Sequence, residues 1–294
     1  MSKTKTNFML LLTAFIWGMA FVAQKVGMEY VGPFGFNAIR SLIGSAVLLP
    51  VIFLLDKQRS RMKLPAATWK QKELWTGGIL CGIFLCIGST LQQFALLSSP
   101  VGKVGFITAL YILFVPVLGL FLKKHVGKKV WFGVILAVIG MYLLCVTNGF
   151  SLAPGDLMTL LCAFAFSFQI LVIDYFSPKV DGVRMSCIQF LVCGIICFFP
   201  MLWTETPNMS DILSGWAPLL YAGVLSCGVA YTLQIVAQKH AEPTIASLLM
   251  SLESVFSVIG GWLILGQVLS GREMLGCALM FGAVILAQLP EKFR

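Results

Sequence analysis

Apolar residues run through this chain in long blocks, and polar residues gather in the gaps between them. Ten apolar stretches stand out, at 8–26, 34–55, 74–97, 101–122, 129–147, 156–176, 183–203, 216–238, 243–266 and 272–289. Each is close to the ~20 residues that a helix needs to cross the hydrocarbon core of a bilayer. Most gaps are tight and contain Gly or Pro (GPFG, SSP, NGFSLAPG); only 56–73 and 204–215 are long. The pattern predicts an all-α integral membrane protein of ten transmembrane helices, with no soluble domain left over. The basic start MSKTK followed by an apolar run resembles a signal peptide. That run is long and no small-x-small cleavage site closes it, so it is expected to remain as the first helix.

The blocks repeat. LLTAFIWGMAFVAQK (11–25) and LLCAFAFSFQILVID (160–174) match at Leu11/Leu160, Leu12/Leu161, Ala14/Ala163 and Phe15/Phe164, an offset of 149. TLQQFA (90–95) and TLQIVA (232–237) match at an offset of 142, which also pairs Leu110/Leu252, Phe114/Phe256 and Gly119/Gly261. The order of the matches predicts two five-helix repeats, 1–150 and 151–294. Because five is odd, the second copy enters the membrane upside down. Two inverted halves can rock between mirror-like states around a midplane site, which is the mechanics of alternating access.

Composition agrees with the pattern. The chain is 59% hydrophobic and only 11% charged, with a mean hydropathy of +0.92, too little charge to cover a soluble domain. The net charge of +9 sits in short loops rather than in a patch for nucleic acid. With the N-terminus in the cytoplasm, 17 of the 21 Lys and Arg fall on the inner side, and both termini are cytoplasmic. The nine cysteines all lie in apolar runs without a Cys-x-x-Cys pair and read as small hydrophobes. His125 and His240 have no partner at metal spacing, so no metal or cofactor is expected. No Walker A, HExxH or Ser/His/Asp set and no intramembrane carboxylate pair is present, so neither ATP drive nor an enzyme is expected.

Candidate chemistry lies in a few polar residues. Glu253 stands mid-block in the ninth stretch, where an ionisable group costs some kcal/mol and normally faces the bundle interior or water. Two readings stay open: a substrate-contacting or proton-coupling carboxylate, or a polar clamp between helices. Beside it runs a small-residue stripe, Ser247, Ser251, Ser254, Ser257 and Gly261. Gln92, Gln93, Gln234 and Gln238 are amides that can bind an uncharged or zwitterionic solute or glue helices together; Tyr231 shares a face with Gln234 and Gln238. Trp17, Phe21, Gln24 and Met28 form a face that either walls a cavity or packs. Lys103, Tyr111 and Phe114 lie on one side of the fourth stretch, where Pro116 should kink the helix and Lys103 either contacts solute or snorkels. Arg40 is a candidate partner for an acid, and Asp174 reads as a solvated end charge.

TAFIWGMAFVAQK (13–25), FNAIRSLIGSAVLL (36–49), VWFGVILAVIGMYLL (130–144) and EMLGCALMFGAVILA (273–287) together resemble the EamA family of the drug/metabolite transporter superfamily. The resemblance spans the whole chain. It implies a central cavity lined by helices 1, 3, 4, 6, 8 and 9, and export of metabolites such as amino acids across a bacterial inner membrane. Glu253 matches the family's ninth-helix acid, but Ser254 replaces the proline that often follows it. Gln267 and the stretch LKKHVG (122–127) depart from the family's Leu-Gly-Glu ends. The expected partners are a small-molecule substrate, protons as a candidate coupling ion, the lipid bilayer, and at most a second copy in a homodimer. The alternatives are a nucleotide-sugar or phosphate-ester carrier of the same superfamily, or a non-transporting membrane protein such as a lipid scramblase.

Overall fold

The computed structural model describes residues 1–65, 67–121, 127–145, 154–266 and 270–288. Regular structure among them is entirely helical. Eight helices are long and apolar enough to cross a membrane: α1 (Lys3–Gly27), α2 (Pro33–Arg61), α3 (Lys72–Ser98), α4 (Val101–Phe121), α6 (Pro154–Phe176), α7 (Gly182–Thr204), α8 (Trp216–Gln238) and α9 (Pro243–Leu265). Between and after them come α5 (Lys128–Cys145) and α10 (Gly271–Gln288), whose apolar runs, Trp131–Gly140 and Met274–Ala283, are shorter. The chain is thus a multi-pass membrane protein. The 122–126 stretch with His125, and Gln267, lie outside the described residues.

Burial explains how the helices choose their neighbours. Side chains such as Phe21, Phe36, Phe106 and Phe190 are fully enclosed, while Phe53, Phe121, Phe132 and Trp203 face outward. An apolar exterior is what hydrocarbon demands, so contact between helices must come from close packing rather than from a hydrophobic gradient. Helix α1 lies against α8 and α9, α4 against α6 and α9, α3 against α6 and α7, α2 against α7 and α8, and α5 against α10. Small residues set these distances. A Cβ on Gly18 of α1 would collide with Phe256 and with the carbonyl of Glu253 on α9; one on Gly44 of α2 would stand 2.5 Å from Cys227 Cβ on α8.

Two helices are broken at mid-depth. Helix α4 consists of Val101–Thr108 and Tyr111–Phe121, and α9 of Pro243–Met250 and Glu253–Leu265. In α4 the ladder tightens from i→i−4 to i→i−3 at Leu110, Ile112 and Leu113. Pro116 itself lies inside the continuous segment Tyr111–Phe121, nearly two turns past the break. Its ring crowds the carbonyl of Ile112 and it has no N–H to donate, but the interruption falls at 109–110 and not at the proline where the kink was expected. Helix α9 breaks with no proline. Instead the hydroxyls of Ser247, Ser251, Ser254 and Ser257 bond back to the carbonyls of Thr244, Leu248, Ser251 and Ser254. Such back-bonding competes with the helical ladder and bends it. A third irregularity is the π-helical stretch Tyr221–Tyr231 in α8.

Charges tie the helix ends together. Lys103 does not snorkel alone but pairs with Asp156 at 2.7 Å, joining the starts of α4 and α6. Near the opposite face Arg184 of α7, almost fully buried, meets Asp56 of α2 at 2.6 Å, and Arg59 meets Asp181 at 2.7 Å. Glu205, just past α7, accepts hydrogen bonds from the backbone N–H groups of Phe34 (2.8 Å) and Gly35 (2.7 Å) at the start of α2. It supplies from a distant helix the N-cap that Gly32 cannot. Replacing Glu205 by Ala is expected to lower stability by about 1–2 kcal/mol, and replacing it by Gln by less. Reversible unfolding in detergent, followed by circular dichroism, reads both.

Candidate functional site

The breaks converge on the centre. The first residue after the α4 break is Tyr111, and the first after the α9 break is Glu253. Both line one enclosed cavity between the helices. Tyr111 is 2% and Glu253 4% exposed, and neither Tyr111 Oη nor Glu253 Oε1 has a hydrogen-bond partner among the described residues. The Tyr111 hydroxyl and the Glu253 carboxyl stand close enough to interact directly. A helix start carries partial positive charge, so a carboxylate at the first position of a half-helix is electrostatically favoured there.

The remaining walls come from α1, α2, α3, α6 and α8. Trp17, Phe21 and Gln24 approach from α1, Gln92 from α3, and Tyr231 and Gln234 from α8. The Trp17 ring leans on Tyr231 with centroids 4.5 Å apart, and Phe190 meets Tyr231 edge-on at 5.3 Å. Of the candidates read from the sequence, the cavity thus gathers Trp17, Phe21, Gln24, Gln92, Tyr111, Tyr231, Gln234 and Glu253, whereas Met28, Lys103, Phe114 and Gln238 are outside its lining. Gln93 is fully buried and also outside the lining, with neither amide atom partnered among the described residues. Arg40, Gln169, Ser226, Phe166 and Ile170 complete the wall. The sequence reading considered Arg40 only as a partner for an acid. It makes no ion pair among the described residues and lies over the Phe36 ring at 5.7 Å. Gln169 was overlooked, although it stands 149 residues after the wall residue Ala20, the offset of the first repeat match; that offset was the signal available.

The amides differ in their bonding. Gln92 donates to Thr108 Oγ1 at 3.2 Å, and Gln169 donates to Gln189 Oε1 at 3.2 Å. Gln234 has neither amide atom partnered. Measured for the centre of a water-sized sphere, the cavity volume is about 30 Å³, room for about two waters. A second hollow, about 640 Å³ by the same measure, opens between the end of α4, the end of α6 and the α8–α9 turn, with Asp174, Gln238, Lys239 and Glu242 in its wall. Asp174 is therefore part of a vestibule. One hydrogen bond, Gln238 Nε2 to the Ile170 carbonyl at 3.4 Å, links this vestibule to the wall of the central cavity.

The difference between Gln92 and Gln234 is measurable. Gln92→Leu removes a bonded amide and is expected to lower stability by about 1 kcal/mol. Gln234→Leu replaces an unsatisfied amide with an apolar group and is expected to leave stability within about 0.5 kcal/mol or raise it. Parallel thermal unfolding of the two variants in one detergent decides.

Known proteins share this architecture. A solved crystal structure superposes with a TM-score of 0.78 at 20% identity, covering 98% of this chain and 97% of that one, a likeness of fold alone. An uncharacterized transporter from Archaeoglobus fulgidus is 28% identical over 284 residues, 95% of this chain and 84% of its own length. A probable amino-acid metabolite efflux pump from Salmonella typhimurium is 25% identical over 309 residues, 96% of this chain and 94% of its own length. The sequence pattern of the EamA-like transporter family matches residues 4–146 and, a second time, residues 153–289. With nearly its whole length matched in this way, the chain belongs to the EamA-like transporter family.

Proposed function

We propose that this chain is a secondary transporter that exports small metabolites such as amino acids across the cytoplasmic membrane by alternating access to the central cavity. The carrying observation is that the cavity wall is built from residue pairs at the repeat offsets. Trp17/Phe166, Ala20/Gln169 and Phe21/Ile170 are 149 apart, and Gln92/Gln234 and Tyr111/Glu253 are 142 apart. The helix breaks obey the same offset, 109–110 in α4 and 251–252 in α9. Residues related in this way sit at the axis about which two inverted halves would rock. The helix neighbours fit that axis as well: α1 on α9 corresponds to α6 on α4, and α3 on α6 to α8 on α1. The two separate matches to the family pattern support the division into repeats 1–150 and 151–294.

The site chemistry favours a zwitterion. Arg40 offers a cation and Glu253 an acid in one small chamber, and neither is neutralised by a protein ion pair. An amino acid presents one charge to each, while Trp17, Phe21 and Tyr231 receive an apolar side chain. A sugar nucleotide or phosphate ester would want several cations; Lys103 is held by Asp156, which leaves Arg40. A cavity for about two waters is a closed state, so loading requires the vestibule to open past the Gln238–Ile170 contact. In this reading Glu253 exchanges a proton as the halves rock, Gln92, Gln93 and Gln234 serve the solute's polar groups, and both termini face the cytoplasm. The likeness to the Salmonella typhimurium protein, a probable amino-acid metabolite efflux pump, supports the substrate class.

Proteoliposomes loaded with a mixed pool of amino acids and other metabolites test the reading. Mass spectrometry of the external medium is expected to show selective efflux of amino acids, accelerated by an imposed pH gradient. Glu253→Gln is expected to abolish the gradient's effect. Efflux without selectivity, or no efflux from correctly inserted protein, contradicts the proposal, and transfer of labelled lipid between leaflets would establish the scramblase alternative instead.

A further inference from the structure

The fold assembles three thiols that look scattered in the sequence. Cys86 comes from α3, and Cys193 and Cys197 lie one turn apart on α7. Their sulfurs all lie within 4.8 Å of one another, with Cys86 and Cys197 at 3.5 Å. All three are buried, at 7%, 1% and 1% exposure. We propose that Cys86, Cys193 and Cys197 form a trigonal all-sulfur binding site for a soft monovalent cation of the Cu(I) type. The three thiols lie outside the cavity lining, with Arg40 as a charged neighbour common to both.

Geometry and donor chemistry both point to that ion. A metal–sulfur bond of about 2.3 Å in a trigonal plane sets the sulfurs about 4 Å apart, inside the range the three residues already span. Thiolates select soft ions, whereas zinc in a protein takes four ligands from sulfur, imidazole and carboxylate. The group brought together here holds no histidine or carboxylate. The neighbouring oxygens are hydroxyls: Ser41 donates to Cys193 Sγ at 3.4 Å, and Ser89 and Thr90 lie 3.9 Å from Cys193 Sγ and 3.7 Å from Cys197 Sγ. They are placed to donate hydrogen bonds to sulfur carrying negative charge. Three thiolates around a single monovalent ion leave two excess negative charges; the Arg40 guanidinium is near enough for its charge to act on Cys193 and offsets one of them. Binding releases the thiol protons to water and moves no electrons. The ion would join α3 to α7 directly behind the cavity wall.

The test uses the full chain in lipid nanodiscs, fully reduced and without oxygen, titrated with Cu(I) buffered by a chromogenic chelator. The wild type is expected to retain one Cu(I) per chain, with sulfur-only coordination by X-ray absorption. Cys193→Ser and Cys86→Ser are each expected to weaken retention about tenfold or more, while Cys81→Ser and Cys162→Ser retain it. Intrinsic fluorescence and size-exclusion profiles identify which variants fold; two ligand variants are used so that misfolding of one leaves the other decisive. The proposal is overturned if the wild type surrenders all copper to the chelator, if the folded ligand variants match the wild type, or if intact mass before reduction reveals a Cys86–Cys197 disulfide.

Discussion

Hydrocarbon offers no hydrogen bonds, so a backbone that leaves the helical ladder at mid-membrane must find its partners in protein or in enclosed water. Both mid-depth breaks meet that constraint in the same place. The turns at 109–110 and 251–252 tighten their own ladder, and the residues that follow them, Tyr111 and Glu253, open onto a shared polar cavity. The rest of the architecture follows from keeping that cavity closed to lipid. Gly18 lets α1 lie on α9 directly against the Glu253 carbonyl, and Gly44 lets α2 lie on α8. Aromatic rings from α1 and α7 seal around Tyr231 of α8.

Charge is confined to two kinds of place. At the helix ends it is paired: Lys103 with Asp156, Arg59 and Arg184 with Asp181 and Asp56, and Glu205 with the N-terminus of α2. In the centre it is not, and Arg40 and Glu253 share a chamber without forming an ion pair with each other. Pairs at the ends hold one helix to the next. Charges left unpaired inside a bundle are expensive to maintain, and their retention is understandable where a solute or proton visits them.

Much of this was legible in the sequence because apolar length, polar gaps and internal repeats are one-dimensional signals. Glu253 announced itself as a lone charge in an apolar block, and the aromatic and amide positions on α1 and α8 followed helical spacing. What was not legible depended on which faces meet. Gln92 and Gln93 are neighbours in sequence, yet only Gln92 reaches the cavity, a difference of about 100° around the helix that cannot be chosen without knowing where α6 lies. The α9 break has no proline to mark it, and its serines read equally well as a packing stripe. Cys86 and Cys193 are separated by 107 positions, so their meeting is invisible until α3 lies on α7.

The central claim is that a chamber at the meeting of the two broken helices is reached by water from each face in turn. The most direct measurement is the labelling of Gln92→Cys and Gln234→Cys, each in a chain with its native cysteines replaced, by a membrane-impermeant maleimide added to one side or the other of oriented vesicles. The account predicts that each position reacts from both sides. Reaction from neither side, or from one side alone under every solute and pH condition, would contradict it.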